Sequence, residues 1–136
     1  MVRFAFSAPD AASDQPMPRL PAIFSNGDHA VSVEGLVDSG STINLLPYDY
    51  GLALGMVWDE HVVELKLTGA LAQFEARAAS VWMSSASLTG PEPVHLAVAW
   101  TRSNDARVIF GQINFFMEFN VCIYRSQNYF EVWRRE

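Results

Sequence analysis

The sequence predicts an all-β fold, closed or folded back on itself. Three observations carry this. Short apolar runs rich in Val, Ile, Phe and Trp recur along the chain, broken by turn signals about every 8–12 residues. Only two segments, around 48–55 and 112–119, carry helical signals, and both are short. No linker and no internal repeat divides the 136 residues, which is the size of one ordinary domain. A chain of that length buries about two-thirds of the surface it exposes when unfolded, so a true core is available.

In chain order, residues 2–6 (VRFAF) alternate as a short strand would. Residues 7–18 hold Ser, Asp, Gln and three prolines and read as an exposed loop. Residues 1–19 are thus expected to form an N-terminal strand and arm with room to flex, and 20–136 the domain proper. LPAIF, then Ser25-Asn26-Gly27-Asp28, then HAVSVEGLV form a hairpin signal, with Asn-Gly supplying the positive φ of a tight turn. After Asp38-Ser39-Gly40-Ser41, a second apolar run covers Ile43 to Leu46. Pro47 can open a short helix that Gly55 closes. Residues 57–67 (VWDEHVVELKL) read as a strand, Thr68-Gly69-Ala70 as the tip of a second hairpin, and 72–83 as its return. A loop over 84–93 leads to the strand VHLAVAW, a turn at 103–105 and the buried strand RVIFG. QINFFMEF has apolar residues at helical spacing. VCIYRS, Gln127-Asn128 and YFEVW close the chain as a last hairpin.

Composition narrows the function. Hydrophobic residues make up 50% and charged residues 18%, which is globular rather than disordered. A mean hydropathy of +0.09 is high for a small monomer and predicts apolar surface covered by a partner, here by self-association. The net charge is −6 with nine scattered basic residues. Nucleic acid and anionic membrane surfaces, which need a basic footprint, are therefore unlikely partners on sequence grounds. Cys122 is the single cysteine, so no intrachain disulfide forms, and it reads as a small buried apolar residue. The opening segment lacks the continuous apolar core of a signal peptide, and no run approaches about 20 apolar residues. The expected setting is a soluble, reducing cytoplasm.

Most site chemistries find no support. His29, His61 and His95 lie far apart, and none is spaced with another His or Cys as a metal pair, so no metal or cofactor is expected. Ser39 lies in D-S-G-S rather than G-x-S-x-G. Cys122 lies inside an expected strand, and no Gly-rich phosphate loop is present.

Asp38 stands apart. The bland reading is a surface turn, because Asp-Ser-Gly is a common turn tripeptide. Yet apolar strands flank it on both sides, and a charge near a core costs several kcal/mol unless it is paired or protonated. Gly40 lets the chain turn sharply and brings a backbone N–H to the carboxylate. The Ser39 hydroxyl can bond neighbouring backbone, and the Ser41 hydroxyl can bond the carboxylate from outside. Acid–base hydrolysis needs a second carboxyl group as well. No second apolar-D-[ST]-G occurs in the chain. The partner is then Asp38 of another copy across a twofold axis. Two such charges ~3 Å apart at an effective dielectric near 20 repel by roughly 5 kcal/mol, so the pair keeps one proton.

Val37-Asp38-Ser39-Gly40-Ser41, followed far downstream by Ile109-Phe110-Gly111 and a short helix, resembles the retropepsin-like aspartic proteases. The resemblance covers about residues 20–133. It implies a homodimeric closed β-barrel with one or two short helices, and a peptide-hydrolysing activity without cofactor. Asp38 is the implied catalytic residue, held by Ser39, Gly40 and Ser41, with the Ser39 hydroxyl linking the two loops across the dimer. Thr68, Gly69 and Ala70 sit where the family carries its flap. Ile109, Phe110 and Gly111 resemble the strand that packs beneath the active-site loop. The implied partners are a second copy and a polypeptide substrate. Ser39 replaces the commoner Thr, Gln112 stands where retroviral members have Arg, and the flap has one glycine where theirs has several. These departures motivate an alternative, in which the same fold serves as a dimeric peptide-binding or assembly module with little turnover. A third reading keeps only an unrelated β-barrel with Asp38 in a surface turn.

Overall fold

The computed structural model describes residues 1–8 and 15–136, so part of the expected arm lies outside the described residues. Strand β1 (Val2–Ala5) is followed by β2 (Arg19–Asn26) and β3 (His29–Val37), which form the expected hairpin. Its turn differs in one detail. Asn26 stays in β2 opposite His29, and Gly27 takes the positive φ of 56°. The glycine has no Cβ to oppose that conformation.

Next come β4 (Asn44–Leu46), α1 (Tyr48–Ala53), β5 (Glu64–Leu65), β6 (Ala76–Ser84), β7 (Val94–Thr101) and β8 (Ile109–Phe110). The chain ends with α2 (Phe115–Glu118), β9 (Phe119–Tyr124) and β10 (Tyr129–Arg134). Strands β2, β3, β8, β4, β7 and β6 are hydrogen-bonded in that order, and β6 pairs back onto β2 through Ile23–Ser84 and Phe24–Met83. The result is a closed six-stranded barrel. β5 hangs on the free side of β6, while β1, β10 and β9 make a separate three-stranded sheet.

The expected strand over 57–67 is a correction. Residues Trp58–Glu60 form a 3-10 turn, and only Glu64 and Leu65 join a ladder. The cause is tertiary. Trp58 is buried and meets Trp100 edge-on at 5.1 Å, so the chain bends inward to deliver it. Val62 and Val63 are left 77% and 59% exposed, and their preference for strands goes unused. The expected return strand over 72–83 begins only at Ala76. A ten-residue connection, 66–75, therefore replaces a tight hairpin tip. The helix expected over 112–119 shortens to Phe115–Glu118, because Phe119 already pairs with Arg134 in β9.

The core is aromatic. Trp100 stacks on Tyr48 at 5.6 Å and donates its indole N–H to the Tyr48 carbonyl at 3.1 Å. His61 closes the other side, edge-on at 5.3 Å. Gly51 of α1 lies against this indole, and a Cβ there would fall 2.1 Å from Trp100 Nε1. In an exposed helix Gly→Ala gains about 0.5–1 kcal/mol. Here the sign reverses, because the ring is held on several sides. We expect Gly51→Ala to lose roughly 1–3 kcal/mol by overpacking, read as a lower urea midpoint with an unchanged m-value.

Candidate active site

The barrel's central crossing builds the site. β3 and β4 do not pair directly. Between them lies β8, parallel to β3 (Leu36–Ile109, Val37–Phe110) and antiparallel to β4 at Leu45–Ile109. Residues 38–43 leave β3, arch over the end of β8 and return as β4. The Asp38 N–H donates to the Phe110 carbonyl at 3.0 Å, tying the first residue of the arch to the strand beneath. The Ser41 N–H returns to the Asp38 carbonyl at 3.1 Å. The Gly40 N–H donates to Asp38 Oδ1 at 2.9 Å, as the tripeptide chemistry leads one to expect.

Close approach explains Gly111. A Cβ there would lie 2.5 Å from the Ile43 carbonyl oxygen and 2.8 Å from that of Ser41. The underside of the arch thus rests on bare backbone. From the same segment the Gln112 N–H donates to the Ser41 carbonyl at 2.9 Å, and the Ile113 N–H to that of Thr42 at 3.0 Å. The Ser41 hydroxyl differs from expectation. It is buried and donates to the Ile43 carbonyl at 2.7 Å, bracing the arch from within rather than reaching the carboxylate.

Two side-chain amides outside the motifs, the buried Asn44 and the half-buried Asn114, complete the support. Asn44, 1% exposed, accepts the Gly111 N–H at 2.8 Å and donates to the Ala97 carbonyl at 2.8 Å. Asn114 accepts the Ala97 N–H at 2.9 Å and donates to the His95 carbonyl at 2.9 Å. Together they cross-link β4, β7 and the chain leaving β8. One signal was available: Asn44 interrupts the apolar run Ile43 to Leu46, and a polar side chain there must find partners.

Asp38, Gly40, Ser41, Thr42 and Ile43 face Leu67, Thr68, Gly69, Ala70 and Leu71 across a recess of about 250 Å³, with Ile109 in its wall. The carboxylate and the residues expected as a flap therefore share one space. Ser39, Phe110 and Gly111 do not line it; Phe110 is fully buried, in edge contact with Phe24. A larger cavity of about 550 Å³ lies between α1, β3 and the loop before β8, and none of its described lining residues belongs to the Asp38 recess. Size does not choose between them. The larger cavity carries Arg19, Glu34, Asp49 and Arg107, whereas the recess holds Asp38, a carboxylate gripped by the backbone of its own loop.

The other candidates have structural places. His29 lies beside Gly55, His61 against Trp100 and His95 against Trp82. Among the described residues no three His, Cys, Asp or Glu side chains gather as a metal site. Cys122 is half-buried rather than buried, because it shares a sheet face with Glu131 and not with the buried Phe130 and Val132. Hydrogen bonds to Cys122 and then Glu131 push the nearby Tyr124 phenol up. No helix among the described residues is long and apolar enough to cross a membrane.

A retropepsin-like aspartic protease from Rickettsia conorii superposes with a TM-score of 0.65, covering 95% of this chain and 88% of that one at 10% identity. The fold is retropepsin-like. EIAV protease, complexed with the inhibitor HBY-793, gives a TM-score of 0.49 over 72% of this chain and 84% of that one, at 14% identity. No protein-family model matches the sequence, and no curated protein matches it significantly. The likeness therefore lies in the retropepsin-like barrel, and the chemistry of this chain rests on its own residues.

Proposed function

We propose that this chain is an aspartic endopeptidase that works as a homodimer. One observation carries the reading. Asp38, the one carboxylate among the described residues that line the recess, is held by the Gly40 N–H on an arch that faces the 67–71 segment, and the chain has no second motif like it. One carboxylate can activate a water as general base but cannot also protonate or polarise the scissile carbonyl. A second Asp38, brought by another copy, supplies that acid. The water held between the two attacks the carbonyl carbon, its proton passing to the ionised carboxylate while the protonated carboxyl gives its proton to the carbonyl oxygen. The tetrahedral intermediate then collapses, the C–N bond breaking as the amine takes the proton the first carboxylate received and one hydroxyl returns its proton to the second. Residues 66–75, with Thr68, Gly69 and Ala70, lie over an extended peptide and pair with it as an added strand. The retropepsin-like fold supports this reading, and the single cysteine is consistent with a cytoplasmic setting.

The split site makes a testable demand. Specific activity on an unfolded protein should be constant at high enzyme concentration and fall on dilution through the dimer dissociation constant. A flat profile across a range where sedimentation shows monomer forming would rule out a shared dyad. A peptide that binds but emerges uncut from acid to neutral pH would favour the assembly-module reading.

A further inference from the structure

We propose that Gln112 is a positioning residue for Asp38, acting through the peptide group that joins Ser39 to Gly40. The inference rests on Asp38 being the reacting carboxylate. The Gln112 side-chain amide Nε2 donates to the Ser39 carbonyl oxygen at 2.7 Å. The same peptide group presents its N–H, that of Gly40, to Asp38 Oδ1 at 2.9 Å. The two bonds thus run in series, from amide to carbonyl and from the far end of that peptide to the carboxylate. A bond received at the carbonyl fixes the peptide plane and polarises its N–H, which strengthens the donor on the other side.

Gln112 grips the arch twice. Its backbone N–H holds the Ser41 carbonyl whatever the side chain, while the bond to Ser39 depends on a donor at the end of residue 112. The side chain is exposed, so burial does not fix it there. The anchor beneath is stiff: the next residue but one, Asn114, is clamped to β7, and Gly111 to Asn44. A rigid base thus holds a donor against the only peptide group that reaches the carboxylate by its N–H within the arch.

Gln112→Met removes the donor at nearly constant length and charge, whereas Gln112→Arg keeps one. The full chain is ¹⁵N-labelled, and the Gly40 amide proton is followed together with kcat and KM on an unfolded protein substrate. In Gln112→Met the Gly40 resonance should move upfield and its exchange quicken by roughly tenfold, and kcat should fall by roughly tenfold while KM stays within about twofold. Gln112→Arg should stay within about twofold of the parent in both readouts. An unmoved Gly40 amide in Gln112→Met, or a loss in Gln112→Arg as large as in Gln112→Met, would overturn the inference. Asp38→Asn, run alongside, separates the two claims. Cleavage that survives it defeats the proposed function. Cleavage that it abolishes, but that Gln112→Met leaves intact, defeats the positioning role alone. In a chain that does not cleave, the Gly40 amide decides.

Discussion

Asp38→Asn should abolish cleavage of an unfolded protein substrate while leaving the barrel folded and the chain able to dimerise. Asn has nearly the same shape, and its carbonyl oxygen can still accept the Gly40 N–H that Asp38 Oδ1 accepts at 2.9 Å. The Asp38 backbone bonds to Phe110 and Ser41 do not involve the side chain at all. What is lost is the ability to take a proton from water. A general base contributes about 10²–10⁴-fold, and a dyad that loses both copies at once stands at the upper end of that range or beyond it. The dyad, which shares one proton in the parent, also loses its single negative charge, so the variant should still dimerise. The checks are turnover on a quenched unfolded substrate and sedimentation of the same preparation. Undiminished turnover would show that Asp38 is not the base. Lost turnover together with lost folding would show that the carboxylate is structural.

Gly111→Ala should be the most damaging substitution outside the carboxylate. Its Cβ would press on the Ile43 and Ser41 carbonyl oxygens at 2.5 and 2.8 Å. These are backbone atoms of the arch and cannot step aside as a flexible side chain does. Gly111 cannot retreat either, because Asn44 holds its N–H at 2.8 Å. Either the arch lifts from β8 or the Asn44 contact breaks and leaves buried amide groups unpaired. We expect roughly 2–4 kcal/mol of lost stability, a large share of the 5–15 kcal/mol typical of a domain. Any surviving folded fraction should have a displaced Asp38 and little activity. Urea unfolding read beside turnover checks both. Near-parent stability would mean that the arch does not rest on Gly111 at the 2.5 and 2.8 Å separations a Cβ would meet.

Much of this was legible in the sequence because the governing chemistry is local. Asp38-Ser39-Gly40 announces itself within three residues, since a glycine behind a carboxylate places an N–H on it wherever the triplet folds that way. Asn26-Gly27 marks the first hairpin for a similar reason, although the positive φ falls on Gly27 and Asn26 stays in its strand. What was not legible depends on partners distant in sequence. The run 57–67 reads as a strand by composition, and only the burial of Trp58 against Trp100 turns it into a 3-10 turn. Asn44 and Asn114 are 70 residues apart, so nothing in either neighbourhood reveals that their amides meet over Ala97. Gln112 was visible as a departure from the retroviral pattern, but its grip on Ser39 spans 73 residues and needs the fold. The Ser41 hydroxyl turned inward to Ile43 because the arch is tighter than a simple turn and leaves that carbonyl in reach.

The central claim is that two copies of Asp38 make one site. The measurement that tests it most directly is the separation of the two Asp38 carboxylates in a crystal structure of the dimer. The oxygen atoms should lie about 3 Å apart across the twofold axis, close enough to share one proton. Carboxylates well beyond hydrogen-bond reach in every oligomer the chain forms, with no water bridging them, would contradict it.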